Sequence, residues 1–322
     1  MKTILVTGVA GFIGHKTSEK LLAKGYHVVG IDNLNDYYDI NLKKYRLKAL
    51  LKKDHFTFLK IDIEDKAKLR KIFTRNNFSA VINLAARAGV PYSMVDPGIY
   101  FTTNINGTLN LLEMCRHHKI FKFILASTSS IYAGSSMPFK ETLPVNTPIS
   151  PYAASKKAAE TVCYTYHHLF GIDVSIVRYF TVYGPAGRPD MSPFRFIKWI
   201  DEGIPIKIFG DGMQRRDFSY VDDIAEGTIA ALKRIGYEIF NLGGNRVYCL
   251  MDMIHLMERY LGKRAKFKYL PFHKTDVRAT SANISKAQTI LKWNPKVSFP
   301  EGVAKTVEWH NANRDFVSRI KL

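Results

Sequence analysis

Cysteine is scarce in this chain. Three are present in 322 residues, at Cys115, Cys163 and Cys249. Their odd number, wide separation and lack of metal-ligand spacing argue against a disulfide framework or thiolate cluster, and for a reducing, cytoplasmic setting. Long apolar runs are also missing. None approaches the roughly 20 residues of a membrane helix, so no membrane association is expected. The opening Met1–Gly8 stretch breaks at a turn too early for a secretory leader and reads as a first strand. Acidic side chains are in short supply: 28 Asp and Glu face 47 Lys and Arg, a net charge of +19. Such an excess admits nucleic acid or an anionic small molecule as partner. The cations are spread out, however, as at Lys43-Lys44, Lys52-Lys53, Lys263-Arg264 and Lys266, with no long block of like charge. That pattern favours a solvated basic surface and disfavours nucleic acid. The histidines include the adjacent pairs His117-His118 and His167-His168. Neighbours on a helix point apart, so no metal site is expected.

What is present is alternation. Apolar runs at 4–7, 27–31, 57–60, 80–84, 122–127, 173–179 and 238–242 predict strands. Amphipathic stretches at 13–24, 42–52, 66–75, 105–117, 151–170, 192–202 and 301–311 predict helices. This is the pattern of an α/β, doubly wound parallel sheet with crossover helices. The alternation weakens after Tyr179, and Gly184-Pro185-Ala186-Gly187-Arg188-Pro189 carries strong turn signals. Residues 1–180 and about 213–248 are therefore assigned to the sheet domain. Residues 181–212 and 249–322 are assigned to a smaller α/β substrate-binding lobe, with 217–242 returning to the main sheet.

Gly8-Val9-Ala10-Gly11-Phe12-Ile13-Gly14 follows the first strand and opens the first helix. Glycines there let the backbone approach a pyrophosphate, and the helix start offers free amides to it, as in a Rossmann domain. The spacing is G-x-x-G-x-x-G and not the dinucleotide fingerprint G-x-G-x-x-G. Asp32 ends the second strand, where an acid bonds the adenosine ribose and repels a 2′-phosphate. With Asn33 and Leu34 next and no arginine beside them, the cofactor read is NAD. Gly8, Gly11, Phe12, Ile13, Gly14, Asp32 and Asn33 are its candidate contacts.

Downstream stands Tyr152-Ala153-Ala154-Ser155-Lys156. A phenol titrating near roughly 10 is a poor base at neutral pH. A lysine at i+4 shares its helix face, and its charge favours the phenolate. Thr128, in Ser127-Thr128-Ser129-Ser130, offers a hydroxyl to share a proton between Tyr152 and a substrate alcohol. Such a group suits proton removal from a sugar hydroxyl coupled to oxidation at the carbon.

These residues resemble the extended short-chain dehydrogenase/reductase family over nearly the whole chain, and within it the NAD-dependent nucleotide-sugar epimerases. The resemblance implies cofactor contacts for Asp62, Ile63, Leu84, Ala85, Ala86, Asn104 and Tyr179, beside Tyr152 and Lys156. It implies a nucleotide-phosphate contact for Arg216 and a ribose contact for Asp276. The narrower likeness is to UDP-glucuronate 4-epimerases. It rests on Thr181-Val182-Tyr183-Gly184-Pro185, on Gly187-Arg188-Pro189-Asp190-Met191 and on the long segment Asn35-Asp36-Tyr37-Tyr38-Asp39. It implies reversible C4 epimerisation of UDP-glucuronate to UDP-galacturonate through a 4-keto sugar.

A 4-keto sugar with a C6 carboxylate is a β-keto acid and loses carbon dioxide readily, so the carboxylate must be held. Thr181 and Arg188 are the candidates, with Ser129 and Ser130 beside the sugar; Arg188 could equally be a loop residue paired to Asp190. Related decarboxylases resemble Thr-Ser-Glu, and dehydratases Thr-Asp-Glu, where this chain has Thr128-Ser129-Ser130. Hydroxyls alone favour epimerisation. Two departures stand out: Asn83 where histidine is frequent, and Pro91 where arginine is common, with Arg87 near enough to compensate. Trp199, Phe194 and Phe196 either wall a uracil pocket or pack in the core. A homodimer is expected from the likeness, with Ala153, Ala159, Val162, Cys163 and Tyr166 either at its interface or facing the sheet. A UDP-glucose/UDP-galactose 4-epimerase, or another UDP-hexose epimerase, is the alternative within the class. A non-catalytic nucleotide- or RNA-binding relative is the alternative outside it.

Overall fold

The computed structural model describes residues 1–271 and 277–322. Among the described residues, twelve strands follow in chain order: β1 (Thr3–Thr7), β2 (His27–Asp32), β3 (Phe56–Lys60), β4 (Phe78–Asn83), β5 (Lys122–Thr128), β6 (Asp173–Tyr179), β7 (Thr181–Tyr183), β8 (Ile206–Phe209), β9 (Arg215–Tyr220), β10 (Tyr237–Leu242), β11 (Val247–Cys249) and β12 (Phe267–Leu270). Seven of them form one sheet in the order β10-β6-β5-β4-β1-β2-β3. Every pairing in it is parallel. Helices cover both faces, so the inner strands are apolar on both sides; all seven residues of β5 are buried. The chain winds outward from β1 through β2 to β3, then returns to β4 on the other flank. That reversal leaves a crevice at the carboxyl ends of β1 and β4, the place where open parallel sheets bind ligands.

The helix Pro151–Phe170 is bounded by its own sequence. Ser150 caps it by accepting from the Ala153 amide at 3.2 Å, Pro151 opens it, and Gly171 closes it at φ 65°. Its spacing puts Tyr152, Ala153, Lys156, Ala159, Glu160 and Cys163 on the buried face. Ala153, Ala159 and Cys163 are fully buried against the sheet, so they offer no surface to a second copy. Helix Lys66–Arg75 is capped likewise by Asp65. The helix expected from Ile105 starts at Gly107, because a π-turn at Thr102–Asn106 precedes it.

Strands β11, β9 and β7 make a separate three-stranded sheet, and β12 pairs with β8. Of the 217–242 stretch expected to return to the main sheet, only β10 does so; β9 pairs with β7 and β11 instead. Helices Ser192–Glu202, Leu250–Leu261 and Phe299–Ala312 close over these strands around Ile197, Ile200, Met253, Ile254, Met257, Phe299 and Val303. The crevice of the large sheet therefore faces the smaller lobe. No helix among the described residues is long and apolar enough to cross a membrane.

Candidate active site

One cleft of about 930 Å³ runs from the glycine turn to the smaller lobe. At the β1 end the backbone is tight. A Cβ on Gly8, at φ 66°, would stand 2.7 Å from the Ala85 amide nitrogen, and one on Gly14 would sit on the Gly8 carbonyl. The turn thus needs bare backbone, which leaves the start of helix Phe12–Ala23 open to a pyrophosphate. Asp32 is buried; its Oδ2 accepts from the Ala10 amide at 3.1 Å and its Oδ1 from Leu34 at 2.8 Å. Asn33 donates to Asp62 at 2.7 Å, which joins the ends of β2 and β3. Gly8, Gly11, Phe12, Ile13, Gly14, Asp32, Asn33, Asp62, Ile63, Leu84, Ala85, Ala86 and Tyr179 all line the cleft. The donor set fits a dinucleotide: naked amides for phosphates, a carboxylate for a ribose and apolar strand ends for the rings. Asn104 does not line the cleft. It accepts from the Arg87 amide at 2.9 Å and donates to the Arg87 carbonyl and Ser155 Oγ, each at 2.9 Å, so it holds the wall from behind.

Tyr152 and Lys156 lie in the middle of the cleft beside Thr128, Ser129 and Ser130. Thr128 Oγ1 donates to Ser130 Oγ at 3.1 Å, and its hydroxyl acts on the Tyr152 phenol. Burial pushes the Tyr152 pKa above the ordinary phenol value. The Thr128 bond and the Arg188 charge oppose it, and Tyr37 adds to it. Arg188 is thus a cation acting on Tyr152 that the i+4 spacing did not point to. Lys156 Nζ instead donates to the Ala126 carbonyl at 2.9 Å. Burial pulls Lys156 down to about 8, against the nearby Glu160 carboxylate.

Glu160, one turn on, is itself fixed. It accepts from Ser127 Oγ at 2.6 Å and from Arg178 Nε and Nη2 at 2.9 and 2.7 Å. Arg178 Nη1 in turn donates to the Tyr132 hydroxyl at 2.6 Å. This buried network ties the Tyr152 helix to β5 and β6. Sequence reading missed it, since an i+8 glutamate on an apolar helix face carries no mark of its strand partner.

Thr181 and Arg188 both face the cleft. Arg188 donates through Nε and Nη2 to Asp190 at 3.0 and 2.5 Å and through Nη2 to the Ala88 carbonyl at 3.2 Å. The loop pairing with Asp190 is therefore present, and the guanidinium still lies against the Tyr37 ring, 5.8 Å from its centroid. Arg87 takes a similar place at 5.7 Å. Arg216 lines the far end beside Lys207, Phe209 and Gln214; Phe196 and Trp199 wall the same end. Phe194 belongs to a separate apolar cluster with Leu42 and Ala186. Asp276 lies outside the described residues.

One further cation was not foreseen. Lys43, read as surface charge, is buried and donates to Asn35 at 2.8 and 2.9 Å. Burial takes it to about 8, which Asp32 opposes and Arg87, Arg46 and Arg188 reinforce. Four positive side chains thus crowd this region, which suits an anionic ligand. The described residues contain no group of three or more His, Cys, Asp or Glu able to hold a metal.

Known proteins are similar to this chain in sequence and fold. A UDP-glucuronate 4-epimerase of Thermodesulfobacterium geofontis (strain OPF15) is 58% identical over 319 residues, 99% of each chain. The crystal structure of a UDP-glucuronic acid 4-epimerase from Bacillus cereus, in complex with UDP-glucuronic acid and NAD, superposes with a TM-score of 0.91 at 41% identity. It covers 96% of this chain and 99% of its own. A UDP-glucose 4-epimerase from Thermotoga maritima, with UDP-glucose, gives 0.89 at 33% identity, covering 97% and 99%. The model of the NAD dependent epimerase/dehydratase family matches residues 4–243, which hold the glycine turn, Asp32 and the Tyr152–Lys156 pair. The glycine turn, Asp32 and the buried Tyr152 all fall within the matched span, and this chain belongs to the NAD dependent epimerase/dehydratase family.

Proposed function

We propose that the protein is an isomerase that interconverts UDP-glucuronate and UDP-galacturonate at C4 with NAD. The observation that carries this reading is that Arg188 and Thr181 line the same cleft as Tyr152, beside a strand end that offers only the hydroxyls of Thr128, Ser129 and Ser130. When bound, the nicotinamide supplies a reversible two-electron sink for C4. Tyr152 takes the O4 proton, and Thr128 bridges the phenol and O4. Lys156 and Arg188 favour the charged phenol against the burial that opposes it. Thr181, Ser129 and Ser130 offer donors to the C6 carboxylate. Arg188 adds charge there, and its Nη1 makes no hydrogen bond among the described residues. A carboxylate so held keeps its negative charge, which disfavours loss of carbon dioxide from the ketone. Arg216 is assigned to the nucleotide phosphates, with Arg87 as a second contact on the sugar side.

The test is to incubate the purified protein with UDP-glucuronate and, separately, UDP-glucose, without added NAD, and follow the anomeric protons by NMR. UDP-galacturonate is expected from the first, with UDP-glucose converted measurably but far more slowly. UDP-galactose alone would overturn the substrate, and a pentose product would overturn the carboxylate clamp.

A homodimer forms part of the same reading. Val95, Phe101, Tyr164, Leu169 and Phe170 leave exposed apolar surface on and beside the helices Pro97–Phe101 and Pro151–Phe170. Light scattering of the purified protein at twice the chain mass is expected; a monomer would remove this part.

A further inference from the structure

Arg46 is fully buried and forms no ion pair with the described residues, an expensive place for a permanent charge. All of its five N–H donors are nevertheless used. Nε and Nη2 fork onto the Ala186 carbonyl at 2.9 and 2.7 Å, and Nη2 also reaches the Gly187 carbonyl at 2.9 Å. Nη1 donates to the Ala10 carbonyl at 3.3 Å and to the Tyr38 hydroxyl at 2.7 Å. The guanidinium lies 5.8 Å from the Phe12 ring centroid and 5.5 Å from that of Tyr38. One side chain therefore joins the dinucleotide turn, the segment after β2 and the 184–190 loop.

The loop needs such a fixture. Ala186 sits at φ 53°, where a side chain is strained and the backbone must be held by its surroundings. Apolar packing with Leu42, Phe194, Val317 and Ile320 holds Ala186 down but gives its carbonyl no direction. The fork from Arg46 supplies the direction, and the next residues carry Arg188 back to the Ala88 carbonyl in the cleft.

We propose that Arg46 is a positioning residue that sets the register of the 184–190 loop against the dinucleotide turn and so places Arg188 for a sugar that carries a carboxylate. The role rests on the uronate reading above. A lysine can reach one of these carbonyls but cannot fork. Arg46→Lys is expected to raise the KM for UDP-glucuronate about tenfold with kcat within about twofold. Its constants for UDP-glucose and its content of bound NAD should match the wild type. Equal losses on both sugars, or loss of NAD, would show a merely structural part and overturn the proposal; so would unchanged constants throughout.

If the lysine variant does not fold, Ala186→Gly decides, because it frees the loop and leaves the buried cation in place. The same split between the two sugars supports the role, and no split overturns it. A wild type that fails to turn over UDP-glucuronate overturns both the substrate reading and this role. A wild type that succeeds, beside variants without the split, overturns only the role of Arg46.

Discussion

Lys156 donates its ammonium to the carbonyl of Ala126 at 2.9 Å, two residues before Thr128 on β5. The lysine thus bridges the helix that carries Tyr152 and the strand that carries the threonine. Its charge is finely balanced there, since burial brings it down to about 8.

The first prediction is a pH profile. Lys156 loses its charge as pH rises through about 8, and on the proposed mechanism the phenolate of Tyr152 loses its support with it. The wild-type kcat/KM should therefore bend near that pH. Lys156→Met should abolish the bend, move the acidic limb to higher pH and lower kcat/KM at neutral pH by about 10²–10³. A bend that persists in the variant would assign it to another group.

Gly14→Ala tests the cofactor turn. The added Cβ meets the Gly8 carbonyl, which is backbone and cannot swing aside. The purified variant should carry less than about a tenth of the NAD of the wild type, a loss of at least about 1.4 kcal/mol in binding. Extraction and chromatography of the bound nucleotide reads this directly. Full NAD content would show that the turn relaxes.

Much of the large domain was legible because its signals are local. Helices Lys66–Arg75 and Pro151–Phe170 have the bounds read from sequence, each with its cap residue adjacent in the chain. Strand β6 matches as well. The helices Val221–Ala230 and Leu250–Leu261 and the short strands β7, β9 and β11 went unread. Strands β7 and β11, of three residues each, show no periodicity, and what stabilises them is a partner far along the chain. The same holds for the site. Glycines, Asp32 and Tyr152 announce themselves by spacing. Arg46 looks like one more helical cation, and its burial depends on a carbonyl 140 positions away.

Thr181→Val probes the carboxylate side. Thr181 opens β7 opposite Phe218, and its backbone is fixed by that pairing, so the substitution exchanges a hydroxyl for a methyl on the cleft wall. UDP-glucuronate kcat/KM should fall about tenfold, the worth of one hydrogen bond to a charged group. UDP-glucose should lose less than about twofold. Parallel losses would place Thr181 away from the carboxylate.

Asp217, next to Arg216 on β9, yields a stability prediction with a definite sign. Its side chain is fully buried; Oδ1 accepts from the Gly244 amide and Oδ2 from the Ala282 amide at 3.1 Å. Burial raises it to about 6, against those backbone bonds and one from Ser219. The native state therefore holds a proton that the unfolded chain, with an ordinary value of about 4, has released. The native state binds more protons between those two values. The contribution of Asp217 is thus present below about pH 4 and is lost as pH rises through 6, a change of about 3 kcal/mol. Asp217→Asn cannot titrate, and its amide nitrogen meets one of the two amides as a second donor. The variant should be less stable at every pH. Its deficit in urea unfolding should widen by about 2–3 kcal/mol between pH 7 and pH 4 as the wild type gains its proton. A deficit that stays constant over that range would mean that Asp217 keeps an ordinary carboxylate pKa despite its burial.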